Sequence, residues 1–114
     1  AEWLAPSLVD LIALDADGFR LRYRGTAVAR AGRRGLVRNA TVALGNSANP
    51  DAVPPLVRAL GDADPLVRGH AAWALGRIGG ATARCALERI RRGEPSADVR
   101  AEIDAALDAG PPPT

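Results

Sequence analysis

A chain of 114 residues has room for one small core and excludes a large enzyme. Apolar residues make up 47% of it and aromatics 4%, and most of the apolar share is Ala, Leu and Val, which suits closely packed helices and excludes the β-branched, aromatic-rich interior of a sandwich or barrel. The net charge of +2 hides a segregation: the window from Gly18 to Pro50 holds seven arginines and no acid, while the rest of the chain sets eight arginines against thirteen acids, a pattern that points to polyanionic partners.

The first element is a short helix over "SLVDLIAL", with Leu8, Leu11 and Ile12 at helical spacing and Ser7 and Asp10 arranged as a capping box. "FRLRYR" alternates as a strand does, but three alternations without a partner strand favour a short helix or irregular turn over Asp15 to Arg24, packing Phe19 and Tyr23 onto the first repeat. Gly25, Gly32 and Gly35 then interrupt the basic stretch, and a helix through Ala27 to Arg34 is expected to break near Gly35. In a continuous helix Arg30, Arg34 and Arg38 would share an arc of about 80°, away from Leu36 and Ala40, with Arg33 nearer the core edge. Three cations so stacked repel one another unless an anion lies between them. The alternative is a solvated charged face.

From Leu36 onward the chain repeats. Leu36, Ala40, Ala43 and Leu44 form the apolar stripe of an amphipathic helix, which returns as Val67, Ala71, Ala74 and Leu75 and again as Val99, Ile103, Ala106 and Leu107. A second stripe, Val53, Leu56, Val57 and Leu60, recurs as Ala83, Ala86, Leu87 and Ile90. Each unit is a pair of helices, A and B, with a period of about thirty residues. "LGNSANPD" and "LGRIGGAT" place glycine at or near the end of each A helix, Asp62 or Asp64 with Pro65 opens the second, and Ser96 or Asp98 opens the third. Pro54 and Pro55 fit only a first turn, so the first B helix starts near Asp51 or Ala52. The expected fold is all-α: a short right-handed α-solenoid of about two and a half helix pairs at 36–62, 66–93 and 98–109, behind an N-terminal helical extension and basic segment (1–35) and before a disordered tail (110–114).

Catalytic chemistry finds few residues. Cys85 is the single cysteine, which excludes an internal disulfide and a cysteine-held cluster, and it reads as an inert helix thiol. His70 has no second ligand at metal spacing and reads as a helix-surface or groove residue. Neither "GTAVARAG" nor "GNSANPD" is a phosphate-binding glycine loop, and Glu88, Asp104 and Asp108 read as solvated acids. Trp73 takes the place of Val42 one repeat on and reads as partly buried packing; Asn39 and His70 take equivalent places in successive A helices, either presenting polar tips to a ligand or finishing a surface. All fifteen basic residues are arginine, which GC-rich coding explains, as does a need for bidentate phosphate contacts. No apolar run approaches the ~20 residues of a membrane span, and no signal peptide opens the chain, so a cytoplasmic setting is expected. The abrupt start "AEWLAPSL" and the absence of methionine are what a piece of a longer chain would show, or processing of an initiator methionine.

"FRLRYRGTAVARAGRRGLVRNATVALGN" and "DPLVRGHAAWALGRIG" together resemble the C-terminal HEAT-like region of epoxyqueuosine reductase, the enzyme family of the last step of queuosine synthesis in tRNA. The second stretch is a general HEAT-like signature; the first, with its F-x(3)-Y-R-G-T start and L-x-R-N-x(4)-L-G-N finish, carries the specificity. The resemblance implies a non-catalytic tRNA-docking role, with the tRNA anticodon region as partner, no membrane, and RNA contacts at Arg24, Thr26, Arg30, Arg33, Arg34, Arg38, Asn39 and Asn46. Arg30, Arg34 and Arg38 are the expected phosphate contacts, Thr26 and Asn39 the sugar or backbone ones. It also implies a missing catalytic domain carrying cobalamin and two 4Fe-4S clusters, none of which this stretch supplies; reduction by these residues alone is excluded. The competing expectation is a HEAT-repeat protein–protein interaction module working through B-helix residues such as Arg58 and Arg84.

Overall fold

The computed structural model describes Ile12 and residues 16–25 and 32–109, without the side chains of Ala16, Phe19, Arg22 and Tyr23. Thr26, Arg30, the expected packing of Phe19 and Tyr23, most of the first expected helix and the tail at 110–114 lie outside the described residues. Ile12 is helical and 5% exposed, as expected.

The described chain is all helix: α1 (Ala16–Tyr23), α2 (Arg33–Ser47), a 3-10 turn (Pro50–Ala52), α3 (Val53–Ala59), α4 (Pro65–Ile78), α5 (Ala81–Arg91) and α6 (Ala97–Asp108). The alternating "FRLRYR" is helical within α1 because an unpaired strand would leave its backbone unsatisfied, whereas a helix bonds itself. Asp17 and Arg20 pair across one turn of it. The break ahead of α2 comes at Gly32 and not at Gly35: Gly32 holds φ at 89°, a value that favours glycine, and the helix then runs straight through Gly35.

Helices α2, α4 and α6 are the A helices and pack side by side as the tightest pairs in the molecule; α3 and α5 are the B helices of a second layer and touch each other much less. The starts follow local chemistry. The Asn49 side chain accepts from Asp51 N–H at 2.9 Å to open the 3-10 turn, and Pro54 and Pro55 sit in the first turn of α3. Asp64, with Pro65 behind it, accepts from Leu66 N–H at 2.9 Å to open α4, and Ser96 accepts from Val99 N–H at 3.3 Å to open α6.

The expected stripes of α4 and α6 face the core, with Ala106 and Leu107 partly buried at its edge. The stripe of α2 is rotated from expectation: Val37, Ala40, Thr41, Leu44 and Gly45 are buried while Leu36 and Ala43 are only half-buried. Thr41 enters the core because its hydroxyl donates to Val37 O at 2.7 Å, which removes the cost of burying it. Leu44, Leu56, Leu75, Leu87 and Ile103 are fully buried, each worth about 1.5–3 kcal/mol.

Gly45, expected near the end of its helix, and Gly76 lie inside their helices and serve as contact points, while "LGRIGGAT" does end its helix on glycine, at Gly79. A Cβ on Gly45 would stand 2.8 Å from Trp73 Cζ3 and 3.1 Å from Ala74 Cα; one on Gly76 would stand 2.7 Å from Ala106 Cβ and 2.9 Å from its Cα. The repeat thus keeps glycine where one A helix meets the next. The reversals after the A helices are made further on, at Ala48 (φ 54°) and at Gly79 and Gly80 (φ 75° and 96°).

Candidate nucleic-acid interface

Helix α2 opens with Arg33 and Arg34, and its N-cap, Gly32, has no side chain to offer. Cations at a helix N-terminus oppose the macrodipole, so this end calls for anions. They come from the next repeat. Arg33 forks onto both carboxylate oxygens of Asp62, one at 3.2 Å, and Arg34 bonds Asp64 through Nε at 2.8 Å and Nη2 at 2.9 Å. The basic segment, unbalanced along the sequence, is therefore partly balanced in space, because acids 29 and 30 residues away, one repeat length, fold back onto it. That separation was the sequence signal for the pairing; reading Asp62 and Asp64 only as caps misses it.

The two pairs differ in exposure. The Arg33 and Asp62 side chains are 16% and 14% exposed, whereas Arg34 is 58% exposed beside an Asp64 at 19%. Burial pushes the Asp62 carboxyl up, but the bonds from Arg33 and from Asp64 N–H outweigh it and hold it below the ordinary carboxylate value. The Arg34 guanidinium holds Asp64 below that value too, against a smaller opposing effect of burial.

The second seam repeats the device. Arg68 of α4 bonds both oxygens of Glu94, at 2.8 and 3.0 Å, and its Nη1 donates to the Asp62 and Ala63 carbonyls at 2.9 and 3.2 Å. Arg100 of α6 donates in the same way to Glu94 O at 2.7 Å. Asp62 and Glu94 thus occupy one position in successive loops: each accepts an arginine from the preceding A helix, bonds the N–H two residues on, and lends its carbonyl to the arginine of the following A helix.

Beyond Arg34, the outer face of the A helices carries Arg38, Asn39 and Asn46 of α2, all exposed. Arg38 pairs with no carboxylate among the described residues. Asn46 accepts from Arg77 Nη2 of α4 at 3.4 Å, and Arg77 stands 5.8 Å from the centre of the Trp73 ring, so this expected contact joins a cation–aromatic pair that sequence reasoning left aside. Between α4 and its neighbours runs a groove of about 340 Å³ lined by Arg38, Val42, Leu66, His70, Trp73 and Glu102. Burial and then Arg38 pull His70 below the ordinary imidazole value, with Glu102 opposing. The groove is basic toward α2 and acidic toward α6, where Asp98 also lines it. Arg24 is exposed in the turn that ends α1. Thr26 and Arg30 lie outside the described residues.

The face can bind anions; it offers no redox centre among the described residues. Among them no three His, Cys, Asp or Glu side chains converge as a metal would need, and the chain's one cysteine, Cys85, is exposed on α5. A 4Fe-4S cluster takes four thiolates, so these residues do not fit the clusters the resemblance implies. Among the described residues no helix is long and apolar enough to cross a membrane.

Comparison with known proteins agrees with the helical fold. The family model for HEAT repeats matches residues 26–108. Epoxyqueuosine reductase of Bacillus anthracis is 32% identical over 94% of the chain, and that of Staphylococcus aureus 39% identical over 73%. The chain spans only 28% and 22% of the lengths of these two curated relatives. A crystal structure of epoxyqueuosine reductase with a tRNA-Tyr epoxyqueuosine-modified tRNA stem loop superposes with a TM-score of 0.82 at 28% identity, over 90% of this chain and 28% of the other.

Proposed function

Since the chain belongs to the HEAT-repeat family and matches the HEAT-like region of epoxyqueuosine reductases, we propose that it is the tRNA-docking part of such an enzyme, non-catalytic by itself. The observation that carries this reading is the exposed cationic edge of α2, Arg34 and Arg38 one turn apart, within a window of seven arginines and no acid. Arg34 and Arg38, with Arg30 upstream, take phosphates of the anticodon region; Asn39 and Asn46 bond sugar or backbone, as Thr26 does from the preceding segment. Arg33, gripped by Asp62 and largely covered, serves the seam and supplies background field. The acids of α6 confine the RNA to the α2 side by repelling phosphate. Reduction, with its cobalamin and 4Fe-4S clusters, belongs to a catalytic domain outside these residues, working in the cytoplasm.

The test is binding of a tRNA anticodon stem-loop at two salt concentrations to the chain and to its Arg30/Arg34/Arg38→Ala variant, with helicity checked by circular dichroism. Affinity is expected to fall steeply with salt, by a slope of about 0.7–0.9 per phosphate neutralised, and to collapse in the variant. Absence of binding at low salt, or equal binding by the variant, overturns the reading.

A second reading has one observation in its favour. An apolar groove of about 400 Å³ lies between α4, α5 and α6, lined by Leu75, Ala83, Leu87, Ala106 and Leu107, and suits a protein contact. Arg84, expected to serve such a partner, is among the residues lining this groove, where it donates to Leu107 O at 3.1 Å and pairs with Glu88.

A further inference from the structure

Of the described phosphate contacts, Arg34 and Arg38, Arg34 carries a carboxylate partner at close range, and the pair is built to be exchanged. Its side chain is 58% exposed and its guanidinium uses only Nε and Nη2 on Asp64, so an incoming anion can approach it from solvent. Asp64 does not depend on it: the carboxylate also caps α4, accepting Leu66 N–H at 2.9 Å, and there the helix macrodipole favours its charge. Arg34, in contrast, sits in the first turn of α2, where the macrodipole disfavours a cation and some anion has to stand beside it. The neighbouring pair lacks this freedom, because Arg33 and Asp62 are both mostly covered.

We infer that Asp64 sets the affinity of this face for phosphate: it occupies Arg34 in the free protein and hands it over to a phosphate that engages Arg38 at the same time. The inference rests on the phosphate-docking reading above. It makes Asp64 an internal competitor, a carboxylate standing where an RNA phosphate will stand. Release of Arg34 leaves α4 capped, so the exchange needs no unfolding. A single weak anion gains little by displacing Asp64, while a backbone that reaches Arg34 and Arg38 together gains both contacts, which favours polyanions over isolated ones.

The test is the Asp64→Asn variant, which removes the competing charge but keeps a side chain that caps as well as aspartate does. Asp64→Ser, also a good cap, provides a second route should the asparagine variant lose helicity. Binding of the anticodon stem-loop is measured across a salt series for the native chain, for both variants and for Arg38→Ala. Tighter binding by the Asp64 variants at low salt, about two- to fivefold as expected for loss of an exposed ion pair, with a salt slope steeper by about 0.7–0.9, supports the inference. Equal or weaker binding by both variants, while Arg38→Ala still loses affinity, overturns it and leaves the docking reading standing. If Arg38→Ala binds as the native chain does, or nothing binds at low salt, the docking reading fails and this inference with it.

Discussion

The two seams of the solenoid use one device to different ends. At the α4–α6 seam the Arg68–Glu94 pair is closed in, with the glutamate side chain 2% exposed and every oxygen bonded. At the α2–α4 seam there are two pairs, and the outer one, Arg34–Asp64, opens to solvent. A carboxylate that is buried and shared among several donors holds a structure together; a cation half in water beside a carboxylate holds little and remains available to a ligand. On the docking reading proposed above, stability and binding are thus distributed along the repeat axis.

The sharpest way to break the comparison is Glu94→Ala. It leaves Arg68 mostly covered without its partner and removes the acceptor of Ser96 N–H, and the expected loss is about 3 kcal/mol, a large part of the stability of a small domain. Urea unfolding measures it, and a loss below about 1 kcal/mol would erase the difference between the seams. The same residue makes stability depend on acid. Arg68 holds Glu94 below its ordinary value of 4.5 in the folded chain, against the smaller effect of burial. Between the folded and unfolded values the unfolded chain binds more protons, so the contribution is complete above pH 4.5 and is lost as pH falls. Glu94→Gln is expected to flatten that part of the pH–stability profile.

Next in size are the two contact glycines. An added methyl in a packed core costs about 1–3 kcal/mol, and replacing a helix-interior glycine by alanine returns about 1. Gly76→Ala meets the backbone Cα of Ala106 at 2.9 Å, which cannot swing away, and is expected to lose about 1–2 kcal/mol net. Gly45→Ala meets the Trp73 ring edge as its closest contact and Ala74 Cα at 3.1 Å, so part of the strain relaxes and the loss is smaller. Thermal melting of both variants ranks them, and the reverse order would place the tighter seam at the first repeat.

Much of this was legible in the sequence and some was not, for physical reasons. The two-helix period, the order of A and B helices and the stripe of α4 followed from spacing, because apolar residues at helical intervals have few other uses, and the caps were narrowed to Asp62 or Asp64 and to Ser96 or Asp98, of which the structure uses Asp64 and Ser96. The stripe of α2 was misplaced because Thr41 counts as polar until its hydroxyl is seen bonded to its own helix. Gly45 was misread because a cap and a helix crossing ask for the same residue, whereas the glycine expected at the end of α4 is there, at Gly79. The charge of the basic segment was legible and its partners were not: linear charge counting cannot see that a thirty-residue period brings Asp62 and Asp64 onto Arg33 and Arg34. Of the expected RNA contacts, the structure gathers Arg34, Arg38, Asn39 and Asn46 on α2 and sets Arg33 aside at the seam.

The smallest expected effect on stability is the one that separates the two roles most cleanly. Arg34→Ala removes an exposed guanidinium from the first turn of α2, where the macrodipole disfavours it, and breaks a pair whose arginine is 58% exposed. The lost pair and the relieved dipole oppose each other, and Asp64 keeps its bond from Leu66 N–H. Little net change is therefore expected in urea unfolding. On the docking reading, stem-loop affinity should nevertheless fall, since Arg34 is then a phosphate contact. If Arg34→Ala instead destabilised the chain as much as Glu94→Ala, the outer pair would belong to the scaffold, and an arginine that the scaffold needs is not one it can release to RNA.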